Sequence, residues 1–290
     1  MNNKYILILM ISLLFFSGCS FSDLSGSDTK TSGWSSSSGE KVDKYSGVEL
    51  TFSENNPPST VYKGQKFNFG FIWQNNHDTD IEGLSLKVSG FDKSYVNGLD
   101  YSYSIPKISK ATENSGKGVL ADFVITDVSI EDFEKQYLFN AKFQYCYKAS
   151  TRYVKQICIP SQKTNKCDSE SDSYQYENGV LGVSIKDIVN HDSSIRIILE
   201  ISNKNSGKVR DECFLEKYAP SFEIEAVLGS QSGTCSMQSE KLQFINNKAV
   251  VYCDFSRSNE ESYNSQLEVK LSYLYEKEII KKITAKDFNN

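Results

Sequence analysis

Apolar side chains recur at every second position in several segments of this chain. In the clearest of them, Lys66–Asn75, the apolar positions are Phe67, Phe69, Phe71 and Trp73. Because successive side chains of a β-strand point to opposite faces, this period indicates a strand with one buried face. A sheet with one apolar face needs a second layer to cover it. The pattern therefore predicts an all-β protein of antiparallel sheets packed in layers.

The alternation repeats further along the chain. Ser194–Asn203 follows Lys66–Asn75 at an offset of 128 residues, with aliphatic residues in the aromatic positions. The same offset relates Phe139–Tyr147 to Leu267–Tyr275. One offset that aligns two separate strands favours two halves built as copies of one fold, and ordinary β alternation is the alternative explanation.

Each half holds about seven such segments in about 110 residues, which is typical of an immunoglobulin-like sandwich. We therefore expect two tandem immunoglobulin-like antiparallel β-sandwiches, over residues 47–160 and 177–290, joined by a linker over residues 161–176. The chain contains no long amphipathic helix, and this excludes the doubly wound α/β folds.

The N-terminus has the composition of an export signal. Lys4 supplies a positive charge, and Tyr5–Phe16 is almost wholly apolar. As a helix this stretch would cover roughly 18 Å, well short of the ~30 Å hydrocarbon core of a bilayer. We therefore predict a cleaved signal peptide over residues 1–18 rather than a membrane-spanning helix.

The segment Phe16-Ser17-Gly18-Cys19 resembles the lipobox of prokaryotic lipoproteins, with Phe16 where leucine is usual. The resemblance implies that the thiol of Cys19 carries a lipid, which would hold the protein at the membrane on the extracytoplasmic face of the cell envelope. A secretory signal with a chance cysteine is the alternative. Residues 19–46 are rich in Ser and Gly without an apolar period, which predicts a flexible tether.

Six further cysteines follow: Cys146, Cys158, Cys167, Cys213, Cys235 and Cys253. An even number in an exported protein predicts three disulfides. Segments around Cys146 and Cys158 read as a hairpin turning near residues 150–153, so we pair these two. Another hairpin pairs Cys235 with Cys253, and Cys167 is left for Cys213. No C-x-x-C pair is present, so no metal site is predicted.

Candidates for catalysis are few. His77 and His191 are the only histidines, and each lies beside an aspartate in a polar turn next to a strand. We interpret both as solvated turn residues and expect no catalytic residues and no cofactor.

The turn Asp78–Gly83 begins like an EF-hand loop, but Ser89 stands at the twelfth position, where a bidentate Glu is needed. An acidic turn between strands is the favoured interpretation. Weak calcium binding stays open for Asp78–Glu82, and equally for the acidic residues Asp168, Glu170 and Asp172.

The segment Phe91–Pro106 is a candidate binding loop. Its Tyr95, Tyr101 and Tyr103 lie among small polar residues, a composition that forms adaptable contact surfaces. The alternative is that these rings pack onto the core of the first sandwich.

The chain also resembles the tandem immunoglobulin-like domains of prokaryotic, especially archaeal, cell-surface lipoproteins. The residues that carry this resemblance are Asn75, Asn203, Tyr145-Cys146-Tyr147, Cys158-Ile159-Pro160 and Leu271–Tyr275. The resemblance implies a spacer, an adhesin or a binding module that has no catalytic residues.

We therefore expect a non-enzymatic cell-surface protein with the membrane as one partner, through the lipid, and a protein or glycan as another. The net charge of −5 argues against nucleic acid, which calls for a basic stripe. Two other functions stay open: a structural subunit of an envelope or appendage assembly, with exposed strand edges pairing between copies, and an extracytoplasmic hydrolase.

Overall fold

The computed structural model describes residues 47–110, 118–119, 123–131, 133, 136–164, 166–167, 175–215, 220–237, 244, 246–257 and 260–288. They belong to one compact unit, which spans residues 38–290. The described residues form strands and no helix, so the predicted all-β class is confirmed. The predicted signal peptide, Cys19 and the tether lie outside the described residues.

The described residues form eighteen strands: β1 Val48–Phe52, β2 Thr60–Tyr62, β3 Phe67–Asn75, β4 Leu84–Ser89, β5 Val96–Asn97, β6 Ser102–Ile105, β7 Gly118–Val119, β8 Phe123–Ile130, β9 Tyr137–Ile159, β10 Gln175–Asn178, β11 Leu181–Asn190, β12 Ser194–Asn203, β13 Lys208–Arg210, β14 Phe222–Leu228, β15 Gln231–Ser232, β16 Thr234–Met237, β17 Lys248–Ser256 and β18 Tyr263–Lys286.

The strands form one large sheet and two smaller ones. The first small sheet has the order β1-β3-β8-β5, with β7 also pairing with β3. The second has the order β11-β12-β17-β16. The nine-stranded sheet has the order β15-β14-β18-β9-β4-β6, with β10 on β9, and β13 and β2 on β18. Every pairing is antiparallel except that of β2 with β18.

Two long strands run through the whole nine-stranded sheet. β9 and β18 pair without interruption from Tyr137 opposite Ala285 to Ile159 opposite Tyr263. At about 3.3 Å per residue, the 23 residues of β9 span about 75 Å. The two halves of the sequence therefore share a sheet in addition to the predicted linker over residues 161–176.

The molecule has two lobes around the two small sheets. The first lobe contains β1–β8, the N-terminal part of β9 (137–147) and the C-terminal part of β18 (275–286). The second lobe contains β10–β17 and the remaining parts of the two long strands. Each lobe thus takes one end of each long strand, so neither lobe is built from one half of the sequence alone.

The core lies between the small sheets and the long sheet. On β3 the residues Phe69, Phe71 and Trp73 are fully buried, as the alternation predicts. The rings of Phe69 and Phe71 both lie 5.0 Å from that of Phe143 on β9. In the second lobe, the alternating aliphatic residues of β12 are fully buried in the same way. Burial of these side chains is the main favourable term that holds the sheets together.

Residues that are equivalent in the sequence repeat also pair with equivalent positions on the neighbouring strands. Asn75 lies opposite Val48 on β1, and Asn203, 128 residues later, lies opposite Leu181 on β11. Likewise Phe69 lies opposite Ile125, and Ile197 lies opposite Cys253 at the same offset. The equivalent segments therefore occupy equivalent places in the two lobes.

Two of the three predicted disulfide pairings are wrong. The structure joins Cys146 to Cys213 and Cys158 to Cys167, instead of Cys146–Cys158 and Cys167–Cys213. Cys146 and Cys158 lie on the single strand β9, because the chain does not turn at residues 150–153. Their separation of about 40 Å far exceeds the ~6 Å between the Cα atoms of a disulfide. Cys235 and Cys253 are bonded as predicted, directly opposite each other on β16 and β17.

Candidate functional site

The three tyrosines of the candidate binding loop pack against the core of the first lobe. Tyr95, Tyr101 and Tyr103 are each half-buried there. The ring of Tyr95 lies 5.8 Å from that of Tyr137, and the ring of Tyr103 lies 5.7 Å from that of Phe123. Burial raises the pKa of the Tyr101 and Tyr103 hydroxyls. The rings therefore pack onto the core of the first lobe, as the alternative interpretation of this segment expects. A binding role for this loop stays a prediction.

The two histidines occupy different environments. His191 is exposed in a turn, where its backbone N–H donates to the carbonyl of Ser194 at 2.9 Å, as expected. His77 is only 1% exposed, so its interpretation as a solvated turn residue is wrong. Burial lowers the pKa of His77 to about 4, with a smaller opposing effect of Asp78. Its Nε2 atom has no hydrogen-bond partner among the described residues.

The carboxylates of the acidic turn face different partners. Asp80 binds Lys107 Nζ at 2.6 Å, and Glu82 lies 3.4 Å from the same ammonium group. The hydrogen bond from Lys107 lowers the pKa of Asp80. Asp78 instead accepts hydrogen bonds from Tyr176 and Asn178 of the second lobe.

No group of three or more His, Cys, Asp or Glu side chains is placed to hold a metal in the part of the chain that the structure describes. The acidic residues Asp168, Glu170 and Asp172 lie outside that part.

The acidic turn leads to a cluster of polar groups where the two lobes meet. We call this cluster the junction; it consists of Gly47, His77, Asp78, Tyr147, Tyr176, Asn178, Val180 and Tyr275. No local sequence pattern singles out this cluster, because its members come from five distant segments. The signal that could have found it is the repeat itself, which matches Tyr147 with Tyr275 at the offset of 128 residues.

Gly47 is the point at which the chain enters the junction. Its φ is +90°, and a Cβ there would lie 2.5 Å from Val180 Cγ1 and 2.6 Å from the Tyr147 hydroxyl. Only glycine fits both this conformation and this space. Gly47, which directly precedes β1, therefore lies at the middle of the long sheet rather than at one of its ends.

Tyr147 connects the long sheet to the first strand. Its hydroxyl accepts a hydrogen bond from Val48 N at 3.1 Å, and the Tyr145 hydroxyl donates to Val48 O at 3.2 Å. Burial raises the pKa of Tyr147 well above its ordinary value, so the hydroxyl stays neutral. Tyr275 lies beside it, with ring centroids 6.0 Å apart, and its hydroxyl donates to Asn203 Oδ1 at 3.0 Å.

A hydrogen bond between Asn178 and Asp78 connects the two lobes. The Asn178 amide donates to Asp78 Oδ2, while its Oδ1 accepts from Arg152 N on β9 at 2.9 Å. Tyr176 adds a hydroxyl donor to the same carboxylate at 3.3 Å. The chemistry of the junction is thus that of a hydrogen-bond network that links the acidic turn of the first lobe to β9 and β10.

The opposite face of the long sheet carries a buried ion pair beside the junction. Arg210 Nη2 lies 3.0 Å from Glu276 Oε1, and both side chains are almost fully buried. Phe214 N donates to the other carboxylate oxygen at 3.0 Å. The disulfide between Cys146 and Cys213 holds the same loop against β9.

A pocket of about 290 Å³ opens next to this loop, at the lower limit of small-molecule pockets. Its lining combines side chains of both charges with apolar ones: Lys148, Arg210, Asp211, Ser221, Phe222, Glu223, Ser272, Tyr273 and Leu274.

Comparison with models of known protein families finds no match to the chain. A search of curated proteins likewise finds no sequence with significant similarity. Within the described residues, no helix combines the length and the hydropathy required to cross a bilayer.

Proposed function

We propose that this protein is a lipid-anchored cell-surface protein in which two immunoglobulin-like sandwiches, joined through the long sheet, act as a non-enzymatic binding, adhesion or spacer module. The observation that carries the proposal is the uninterrupted pairing of β9 with β18 through both lobes. Such a pairing leaves no flexible joint between the lobes, because bending would break ladder hydrogen bonds in the middle of the sheet. A rigid body about 75 Å long suits a module that presents or spaces surfaces.

The sandwich part of the proposal rests on contacts between sheets. In the first lobe, the ring of Trp73 lies 5.4 Å from that of Tyr145 on the long sheet. In the second lobe, Thr151 on β9 donates to the carbonyl of Leu181 on β11 at 3.3 Å. Each small sheet thus covers one end of the long sheet, as the second layer of a sandwich does.

The location rests on the cysteines and on the N-terminal signal. Three disulfides hint at an oxidising, extracytoplasmic environment, because disulfides are rare where thiols are kept reduced. The lipobox-like segment ending at Cys19 would then retain the exported protein at the membrane.

The junction adds a geometric consequence. An anchor at Cys19 would hold the folded unit at Gly47, the middle of its length, and each end of the long strands lies about 40 Å from there. A coil-like tether of the predicted length spans roughly 25–30 Å on average. The proposed anchor therefore favours a molecule that lies along the membrane over one that stands on its end.

Two observations favour this module over the assembly subunit. The outer strand of the second small sheet, β11, has a register irregularity between Ile185 and Asp187, and its bulge carries the charged Lys186. Bulges and charges on edge strands oppose pairing between copies. On β1, both backbone groups of Val48 are already bound by tyrosine hydroxyls.

The experiment is an intact-mass measurement of the full chain purified from the membranes of a host that lipidates exported proteins. We expect loss of residues 1–18 and an added lipid mass that is missing from the Cys19→Ser variant. A mature product that retains the first eighteen residues would contradict the proposal. Size-exclusion chromatography at several concentrations tests the module against the subunit, since a self-assembling protein elutes earlier as its concentration rises.

A further inference from the structure

Exposed apolar side chains are concentrated on one surface of the first lobe. The described residues include seven large apolar side chains that are more than a third exposed. Four of them, Tyr62, Leu138, Ile280 and Phe288, belong to the solvent side of the nine-stranded sheet or stack on it, with exposures of 37%, 61%, 54% and 69%. We call this surface the outer face; it consists of Tyr62, Lys87, Leu138, Asn140, Lys142, Glu278, Ile280, Lys282, Thr284, Lys286 and Phe288.

Strand register places these side chains together. Leu138 lies opposite Thr284, and Lys142 lies opposite Ile280, so these four point to the same side of the sheet. Tyr62 is aligned with Lys286 on the neighbouring strand, and the Phe288 ring stacks on Tyr62 at 4.6 Å. The apolar positions extend over about 20 Å along the strands and about 10 Å across them.

Positive charge accompanies the apolar side chains. The outer face has four lysines, Lys87, Lys142, Lys282 and Lys286, against one acidic residue, Glu278, which pairs with Lys142 at 2.6 Å. The whole chain has a net charge of −5, so this excess is local.

The corresponding surface of the second lobe provides a contrast. Its outward charged residues on β9, β14 and β18 are balanced, three basic and three acidic: Lys148, Arg152, Glu223, Glu225, Glu268 and Lys270. In this lobe the described residues of these three strands include no large apolar side chain that is more than a third exposed.

We propose that the outer face docks on an anionic lipid surface, with the four apolar side chains in the headgroup region and the lysines against lipid phosphates. A few apolar side chains interspersed with lysines suit a lipid interface, where aromatic rings and lysine stems lie at headgroup level. A protein interface instead has a contiguous apolar centre that is depleted of lysine. The inference rests on the proposed function, because the proposed anchor brings a membrane within reach of this face.

The test uses the full lipidated chain in vesicles of phosphatidylcholine, alone or mixed with phosphatidylglycerol, each with brominated acyl chains as fluorescence quenchers. Leu138→Trp reports on the outer face. The matched control is Val124→Trp, at a position 42% exposed on the opposite sheet of the same lobe. Trp34 and Trp73 are common to both variants and cancel in the comparison.

We expect stronger quenching of Leu138→Trp than of Val124→Trp, and only in vesicles that contain phosphatidylglycerol. Adding Lys142→Gln and Lys282→Gln should lower the docking equilibrium constant roughly 25-fold, at about fivefold per lysine. High salt should also lower the docking equilibrium constant.

Three results separate the possible failures. Equal quenching of the two variants in vesicles that retain the chain overturns this inference and leaves the proposed function standing. A chain that does not float with either kind of vesicle contradicts the anchor and therefore the proposed function. A change in Leu138→Trp emission with protein concentration in the absence of vesicles assigns the outer face to a second copy of the chain, which also overturns the inference.

Discussion

Tyr147 and Tyr275 lie directly opposite each other on β9 and β18, and they are also equivalent residues of the internal repeat, 128 positions apart. An antiparallel pair in which equivalent residues face each other is the centre of an approximate two-fold relationship. The two lobes are therefore organised around this pair of rings. The same place contains Gly47 and the buried His77, so the centre of the repeat coincides with the junction.

The Tyr147 hydroxyl contributes to stability through Val48. Replacing Tyr147 with Phe leaves the fully buried Val48 N–H without its acceptor, which we expect to cost about 1–3 kcal/mol of the free energy of unfolding. Urea denaturation of the folded unit measures this difference. The control is Tyr103→Phe, whose hydroxyl accepts from the exposed Asp100 N and whose effect should stay within about 0.5 kcal/mol. Equal effects of the two substitutions would contradict the assignment.

Asn75 and Asn203 stabilise equivalent turns, and we expect their contributions to the free energy of unfolding to differ. Each accepts a hydrogen bond at Oδ1 from the backbone N–H two residues on, and each donates from Nδ2 to the carbonyl four residues on. Asn75 is fully buried and Asn203 is half-buried. Because water can replace lost partners only at the second site, Asn75→Ala should cost about 2–4 kcal/mol and Asn203→Ala about 1–2 kcal/mol. Equal losses of unfolding free energy in urea, or a larger loss for Asn203→Ala, would refute this reasoning.

The disulfides should differ in their contribution to stability. The bond between Cys146 and Cys213 closes a loop with a sequence separation of 67, and that between Cys158 and Cys167 has a separation of 9. Loop-closure entropy then predicts a loss of about 4 kcal/mol for the double alanine variant of the first pair and about 2.5 kcal/mol for that of the second. Thermal unfolding of the two double variants compares them. Peptide mapping without reduction checks the pairing itself, and a peptide linking Cys146 to Cys158 would refute it.

His77 should make the folded unit sensitive to acid. Its pKa in the folded protein is about 4, below the ordinary value of 6.5, so the unfolded chain binds the extra proton between these two pH values. Stability is therefore fully present above about pH 6.5 and falls by about 3 kcal/mol as the pH is lowered to 4. Urea unfolding at several pH values in this range measures the slope.

Two variants isolate the contribution of His77 from those of the carboxylates. His77→Gln should remove most of the slope between pH 6.5 and 4. His191→Gln changes an exposed histidine and should keep the slope of the unmodified protein. An unchanged slope in His77→Gln would show that other groups cause the acid sensitivity.

Much of the fold could be predicted because local periodicity reports on burial. The alternation in Lys66–Asn75 and its repeat at Ser194–Asn203 identified β3 and β12 almost to the residue. A side chain that points to the core must be apolar in either lobe, so the pattern is visible without knowledge of the partner strand. The pairing of Cys235 with Cys253 was predictable for a similar reason, since the two residues lie on consecutive antiparallel strands.

The errors arise where the outcome depends on distant partners. Residues 150–153 have polar side chains that resemble a turn, but opposite them lies β18, whose backbone continues the ladder from Tyr145 to Tyr153. Cys146 therefore remains far from Cys158 and bonds to Cys213. His77 likewise lies among polar residues at the start of a turn, and its burial comes from the packing of Gly47 and Tyr147 around it.

The sequence by itself determined that the chain forms amphipathic strands in two matching sets, because the two-residue period is a local property of each strand. Only the tertiary structure decided that β9 and β18 cross from one lobe into the other and bring Tyr147, His77 and Asp78 together. Strand pairing over more than a hundred residues depends on the combined register of all neighbouring strands, and no single segment encodes that register.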